Sequence, residues 1–439
     1  MTELGEQRRG WIDAASAHIN RERLREIVCG LVAVPSPTGD EAPLAEHITA
    51  TLIQSGVAAT MQPIDDRQAN AWGRLPGSGQ GPDLMLYAPI DTFTTGDPEQ
   101  DLPWIGPEWR PDMCPKAVVD DELVVGLGAS NPKGHAACVL AAAEAMAAAK
   151  IPLTGDLVVA FGAGGMPTNS LPGSSRRNTG QGAGCSFLLE QGIWTDFALI
   201  AKPGWSVSWE EVGLAWFEIT VRGTHTYVGS RHRLPYRNAI ADAGQVVGRL
   251  EQWFVDYSDR HTDGLVAPQG IVSSIEAGWP RMAAAAPAAC RFRVDLRLSP
   301  RTTPMQAKRE FGAAIDAICA DLPHVSVDWR PVLAIPAPTT DPDTWVCRSA
   351  IRAWEEFEGS SHEPILGNSG ATDANILRSR GIPTVRVGMP KITEAPFPID
   401  FTAGMNTVDV REMERLTRYL VQVAVDTVTR TLAEAGLGA

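Results

Sequence analysis

The 439-residue chain lacks basic runs: 38 Lys and Arg stand against 52 Asp and Glu, a formal net charge of −14. That balance makes nucleic acid and anionic membrane surfaces poor partners. Paired cysteines are lacking too. The seven (Cys29, Cys114, Cys138, Cys185, Cys290, Cys319 and Cys347) are odd in number, scattered, and never form C-x-x-C. They read as buried thiols in a reducing compartment, not as a disulfide framework or a thiolate zinc site. No apolar run approaches the ~18 residues of a membrane span. Residues 1–20 mix charges without the apolar core of a secretory signal. A cytoplasmic location is therefore expected. With 44% hydrophobic and 21% charged residues the composition is globular, and the length predicts two domains.

What is present is an alternation of strands and helices. Residues 21–32 and 41–55 have helical apolar spacing, separated by the break and N-cap region Pro35-Ser36-Pro37-Thr38-Gly39-Asp40. Residues 57–63, 83–88, 123–126, 156–161 and 197–201 read as strands, with helices after Lys133 and over 186–191. This is an α/β layer pattern. From Leu214 it changes. Strands at 214–222, 270–277, 288–298 and 324–329 and helices at 238–257 and 303–322 give the order β-α-β-β-α-β of a ferredoxin-like sandwich. An α/β domain from residues 1–205 and 331–439 is thus expected, interrupted by a ferredoxin-like domain over 206–330. Its last part holds a helix over 343–358, a strand over 384–388 and a terminal helix over 411–434.

The centre of the pattern is the glycine-rich turn Gly126-Leu127-Gly128-Ala129-Ser130-Asn131-Pro132-Lys133-Gly134-His135, between a strand and an alanine-rich helix. Such a turn brings backbone and short polar side chains to the mouth of a sheet, where α/β proteins keep their chemistry. Other signatures accompany it: Asp91-Thr92 after a buried strand, Phe217 followed by Val221-Arg222-Gly223, and Arg293-Val294-Asp295 with Arg297 and Pro300. Gly370-Ala371-Thr372-Asp373 precedes Gly381-Ile382-Pro383. In this order and spacing the chain resembles the dinuclear-zinc aminoacylase/carboxypeptidase family over nearly its whole length. That family includes acetylornithine deacetylase, succinyl-diaminopimelate desuccinylase and aminoacylase. The resemblance implies a phosphorylase/hydrolase-like α/β catalytic domain with an inserted ferredoxin-like α+β lid or dimerisation domain.

The resemblance also implies five metal ligands and a glutamate base, and other residues stand at those positions. Pro89 replaces a His two residues before Asp91, and Asn131 replaces a bridging Asp. The strand over 156–161 runs into Gly162-Ala163-Gly164-Gly165-Met166, where the family has two adjacent glutamates. Lys202, ahead of Pro203, replaces a carboxylate, and Met405 replaces the last His. A catalytic zinc needs at least three nitrogen, sulfur or carboxylate ligands. No metal and no other cofactor is expected.

Candidate site residues follow from what remains. Asp91 is a candidate general base or partner of a cation; capping the turn at Thr92 is its structural alternative. Lys202 is a candidate to hold a substrate carboxylate or a developing oxyanion, or it neutralises Asp91. Asn131 and Lys133 offer donors, or they cap the helix that begins there. His135 reads as a satisfied, half-buried histidine. In the lid, Tyr227 aligns with a family histidine, and with His225, Arg231 and His232 it forms a candidate cluster for an anionic substrate. A solvated loop is the alternative. Gly370, Ala371, Thr372 and Asp373 match a loop whose backbone binds a carboxylate.

Three functions fit. The first is a metal-independent enzyme acting on a small carboxylate- or amide-bearing metabolite. The second is a non-catalytic relative that binds a ligand or partner. The third is a zinc amidohydrolase with relocated ligands such as Asp91, His135 and Asp373. A small, anionic substrate is the expected partner, and relatives suggest a homodimer through the lid.

Overall fold

The computed structural model describes residues 4–438, apart from 107, 172, 175, 177 and 396. Two compact units emerge. One comprises Met1–Trp209, Thr340–Pro364 and Thr372–Ala439; the other comprises Glu210–Thr339 and Ile365–Ala371.

The first unit is built on a six-stranded sheet in the order Ala58–Pro63, Ala69–Leu75, Leu157–Gly162, Leu84–Pro89, Phe197–Ala201, Thr384–Val387. The last four run parallel. Their residues are buried throughout, as expected for strands covered on both faces. The helix Lys133–Ala149 packs against the central strand Leu84–Pro89 and against the helices Arg21–Val32 and Val410–Val428. Alanine on nearly all its faces suits a helix so deeply buried.

Two elements depart from the sequence expectation. The strand Ala69–Leu75 was not foreseen, because its Ala, Asn and Gly have little intrinsic strand preference; pairing with neighbours on both sides makes it a strand. The terminal helix stops at Val428, not at residue 434. There the Val428 carbonyl accepts from the Thr154 and Gly155 amides and the Thr154 hydroxyl, all remote in sequence.

The second unit has a four-stranded antiparallel sheet in the order Gly270–Ala277, Ala289–Leu298, Gly213–Arg222, Ser326–Ile335. With the helices Ala239–His261 and Pro304–Asp321, it is a ferredoxin-like α+β sandwich. A capping box between Thr303 and Gln306 starts the second helix. Phe217 stacks on Phe311 at 4.2 Å in its core. The last strand continues beyond Trp329, where the sequence reading ends it, and runs through Pro331 to Ile335. Proline cannot donate to a ladder, but this is an edge strand and its register shifts between Pro331 and Leu333. No helix among the described residues is long and apolar enough to cross a membrane.

Candidate functional site

In the first unit the four parallel strands end on one side of the sheet, the usual position for chemistry in an open α/β sheet. Asp91 follows Leu84–Pro89, Gly164 and Gly165 follow Leu157–Gly162, Lys202 follows Phe197–Ala201, and Met389 follows Thr384–Val387.

Asp91 is fully buried, and three donors hold its carboxylate. The Thr38 hydroxyl donates at 2.6 Å, the Gly165 amide at 2.7 Å and the Met166 amide at 3.0 Å. It does not cap the turn at Thr92, whose amide goes to the Ser36 carbonyl and whose hydroxyl goes to the Thr94 carbonyl. Asp91 instead ties the end of one strand to the loop after its neighbour. Burial pushes its pKa up, opposed by those donors and by the positive charge of Lys202.

Lys202 is buried and donates through Nζ to Asn131 Oδ1 at 2.9 Å. This bond joins a strand end to the glycine-rich turn. The turn is itself tied to the segment before the terminal helix: the Ser130 and Asn131 amides reach the Met405 carbonyl, and the Gly128 amide reaches Asn406 Oδ1 at 2.7 Å. Neither Asn131 nor Lys133 caps the helix Lys133–Ala149, which has Pro132 at its N-cap and no side-chain cap. Lys133 is fully buried and turns away, donating to the Val34 carbonyl at 2.8 Å. Burial lowers its ammonium to about 7.

His135 is fully buried, not half-buried, and both ring nitrogens are used. Nδ1 donates to the Ser130 carbonyl at 2.8 Å, and Nε2 accepts from the Met389 amide at 3.2 Å. Burial, helped by the charges of Lys202 and Arg386, lowers it to about 3. It is a neutral, structural histidine, unavailable as a metal ligand.

Asp373 is nearly sealed from solvent and accepts from the Tyr87 hydroxyl at 2.6 Å. A Cβ on Gly162 would lie 1.8 Å from that hydroxyl, so only glycine fits at this strand end. Asp373 also lies beside Gly165, whose missing Cβ would meet Asp373 Oδ2 at 3.0 Å and Pro89 at 2.3 Å. Thr372 falls in this unit, whereas Gly370 and Ala371 fall in the other.

One member of the site was missed in the sequence. Glu41 is fully buried, and its Oε1 accepts from the Gly164 amide at 2.8 Å, the Gly39 amide at 3.0 Å and Gln68 Nε2 at 3.3 Å. Burial and the neighbouring Asp91 push its carboxyl up to about 8. Its local pattern, an acidic residue between a Pro/Gly break and a helix, gives no sign of burial.

The lid candidates belong to the second unit. Tyr227 is exposed, His225 Nδ1 donates to the Ala286 carbonyl at 3.1 Å, and the Arg231 guanidinium lies 4.5 Å above the Tyr236 ring. His232 is exposed. His225 lines a cavity of about 390 Å³ with Glu276, Trp279, Met282 and Arg291; Arg231 and His232 do not. Within the unit these residues do not converge on one point. Among the described residues of the whole chain, no three His, Cys, Asp or Glu side chains come together as a metal ion would require.

Residues 85–425 match the model of Peptidase family M20/M25/M40, and the chain belongs to that family. A succinyl-diaminopimelate desuccinylase of Methylobacterium sp. (strain 4-46) is 23% identical over 370 residues, covering 82% of this chain and 86% of that protein. The dipeptidase Dug1p of Saccharomyces cerevisiae has a similar structure, with a TM-score of 0.72 at 12% identity over 95% of this chain and 99% of its own. A Bacillus subtilis protein described as a dinuclear metal binding peptidase gives 0.61 at 15% identity, over 93% and 99%. At such identities the structural likeness speaks for the shared fold.

Proposed function

We propose that this chain is a metal-independent enzyme acting on a small carboxylate- or amide-bearing metabolite. The observation that carries this reading is the 2.9 Å bond from the Lys202 ammonium to Asn131 Oδ1. By the family resemblance, these two residues stand where two carboxylate ligands would be. A positive charge there repels a dication, and a neutral amide attracts it weakly. Pro89 and Met405 add no strong ligand, and the loop Gly162-Ala163-Gly164-Gly165-Met166 adds no carboxylate. His135 and Asp91 have their ligating atoms engaged elsewhere. The residues present therefore do not fit the zinc pair that the family implies.

In this reading Lys202 is the electrostatic group, holding a substrate carboxylate or stabilising a developing oxyanion. Asp91, with three donors already in place, acts through its charge on Lys202 and not as the proton acceptor. A small anionic substrate and a homodimer through the second unit belong to the same proposal, the dimer being testable by sedimentation. A second reading, ligand binding without turnover, is favoured by one observation: neither Asp91 nor His135 is left as an unengaged base.

The test combines metal content with turnover. After exposure to zinc, the purified chain is expected to hold less than about a tenth of an equivalent, since a working site would retain its ion. Turnover on a panel of N-acyl amino acids should be indifferent to chelator and lost in Lys202→Met. One or two tightly held zinc ions, with chelator-sensitive activity surviving in Lys202→Met, would overturn the proposal. Tight binding without turnover in the unmodified chain selects the second reading.

A further inference from the structure

We propose that Glu41 belongs to the strand-end site as an uncharged acid, its carboxyl carrying a proton on Oε2, so that Glu41 and Asp91 together present one negative charge to Lys202. The placement rests on donors that come in consecutive pairs. Thr38 gives its hydroxyl to Asp91 at 2.6 Å, and the next residue, Gly39, gives its amide to Glu41 at 3.0 Å. On the opposite side Gly164 gives its amide to Glu41 at 2.8 Å, and the next residue, Gly165, gives its own to Asp91 at 2.7 Å. Gly164 has φ +62°, and a Cβ there would sit 2.0 Å from the Thr179 carbonyl, so the loop needs glycine to present these amides. Two carboxyl groups held by neighbouring residues on both flanks stand side by side.

Glu41 Oε1 is well supplied with donors. Oε2 is sealed from solvent and has no hydrogen-bond partner among the described residues. Two ionised carboxylates in this arrangement repel each other, and a buried anionic oxygen without a donor bears the full cost of its lost hydration. A proton on Oε2 removes the repulsion and replaces the cost of a buried anion by the much smaller one of a buried neutral hydroxyl. The other charges nearby do not serve instead. Arg67 pairs with Asp40, Arg176 pairs with Asp65 on the Gln68 side, and Lys202 acts on Asp91. The rise of the Glu41 carboxyl to about 8, from burial first and Asp91 second, agrees with this geometry.

The consequence for ligands rests on the function proposed above: when Glu41 ionises, the site gains a second negative charge and holds a small anion less tightly. The protonated state itself does not depend on that reading and is tested without a ligand. Infrared difference spectra of the full chain, taken across the range in which the carboxyl loses its proton, report it directly. A carboxylic C=O stretch is expected at neutral pH, converting to carboxylate near pH 8 and missing in Glu41→Gln. Its absence from the unmodified chain, or its persistence in Glu41→Gln, would overturn the proposal.

Stability provides a second readout. Between the ordinary Glu value of 4.5 and about 8, the folded chain holds a proton that the unfolded chain has lost, so stability falls as pH rises through that window. Glu41→Gln should remove that fall. If Glu41→Gln does not fold, Asp91→Asn serves: with the neighbouring charge gone, the infrared conversion should move to lower pH. An unmoved conversion would overturn the pairing with Asp91. If the infrared result holds while anion binding shows no pH dependence, the proton stands and the functional reading fails.

Discussion

Two networks of buried charge lie in the α/β unit and are built on different rules. Near the end of the helix Val410–Val428, Asp426 accepts from the fully buried Arg430 through Nη2 at 2.6 Å and Nε at 3.2 Å. Arg352 and the Ser349 hydroxyl, at 2.6 Å, take its other oxygen. Trp345 lies against both guanidinium groups, 4.4 Å from Arg430 and 5.5 Å from Arg352. There the cations outnumber the acid, and both carboxylate oxygens are engaged. At the strand ends the ratio is reversed: Glu41 and Asp91 lie together, Lys202 acts on Asp91, and Glu41 Oε2 has no hydrogen-bond partner among the described residues. A network that only holds a fold together settles its charges; an excess of buried acid marks a place adapted to another task.

Breaking each network should therefore give different results. Arg430→Met leaves the buried Asp426 Oδ1 without its donors, with Arg352 and Ser349 holding only the other oxygen, and should cost about 3 kcal/mol of stability in a urea titration. A cost near zero would remove the contrast. Asp91→Ala deprives Thr38, Gly165 and Met166 of their acceptor, and the orphaned donors should cost about 2–3 kcal/mol. The smallest effect near neutral pH concerns His135. Its ordinary value of 6.5 holds in the unfolded chain, and about 3 in the folded one. Between these limits only the unfolded chain binds the proton, so stability falls as pH drops through the window, by at most about 1.4 kcal/mol per pH unit. His135→Gln should flatten that slope in acid denaturation. An unchanged slope would place the acid sensitivity in other groups.

The same two networks show how far the sequence could be read. Asp91, Asn131, Lys133 and Lys202 stand out in the sequence because they sit in the glycine-rich turn and after buried strands, where position alone suggests chemistry. What each one does was less accessible. Lys133 and Asn131 are two residues apart in one turn, yet one donates to Val34 and the other accepts from Lys202. No local pattern separates such fates. Glu41 escaped notice because its neighbours spell a helix start, and its burial comes from a loop 123 residues further along the chain. The terminal helix was extended too far for the same reason: apolar spacing continues past Val428, and the carbonyl there is claimed by Thr154 and Gly155.

By itself the sequence determined the layered α/β pattern, the ferredoxin-like interruption, the family, and the residue types at the implied ligand positions. These are properties of periodicity and local chemistry, which a chain carries before it folds. Only the tertiary structure decided which carboxyl, amide and ammonium groups meet. Lys202 and Asn131 are 71 residues apart and Thr38 and Asp91 are 53 apart, so their bonds exist only once the sheet has brought the strand ends together. Burial then sets the charge each group carries, because removal from water acts on a side chain through its surroundings and not through its neighbours in sequence.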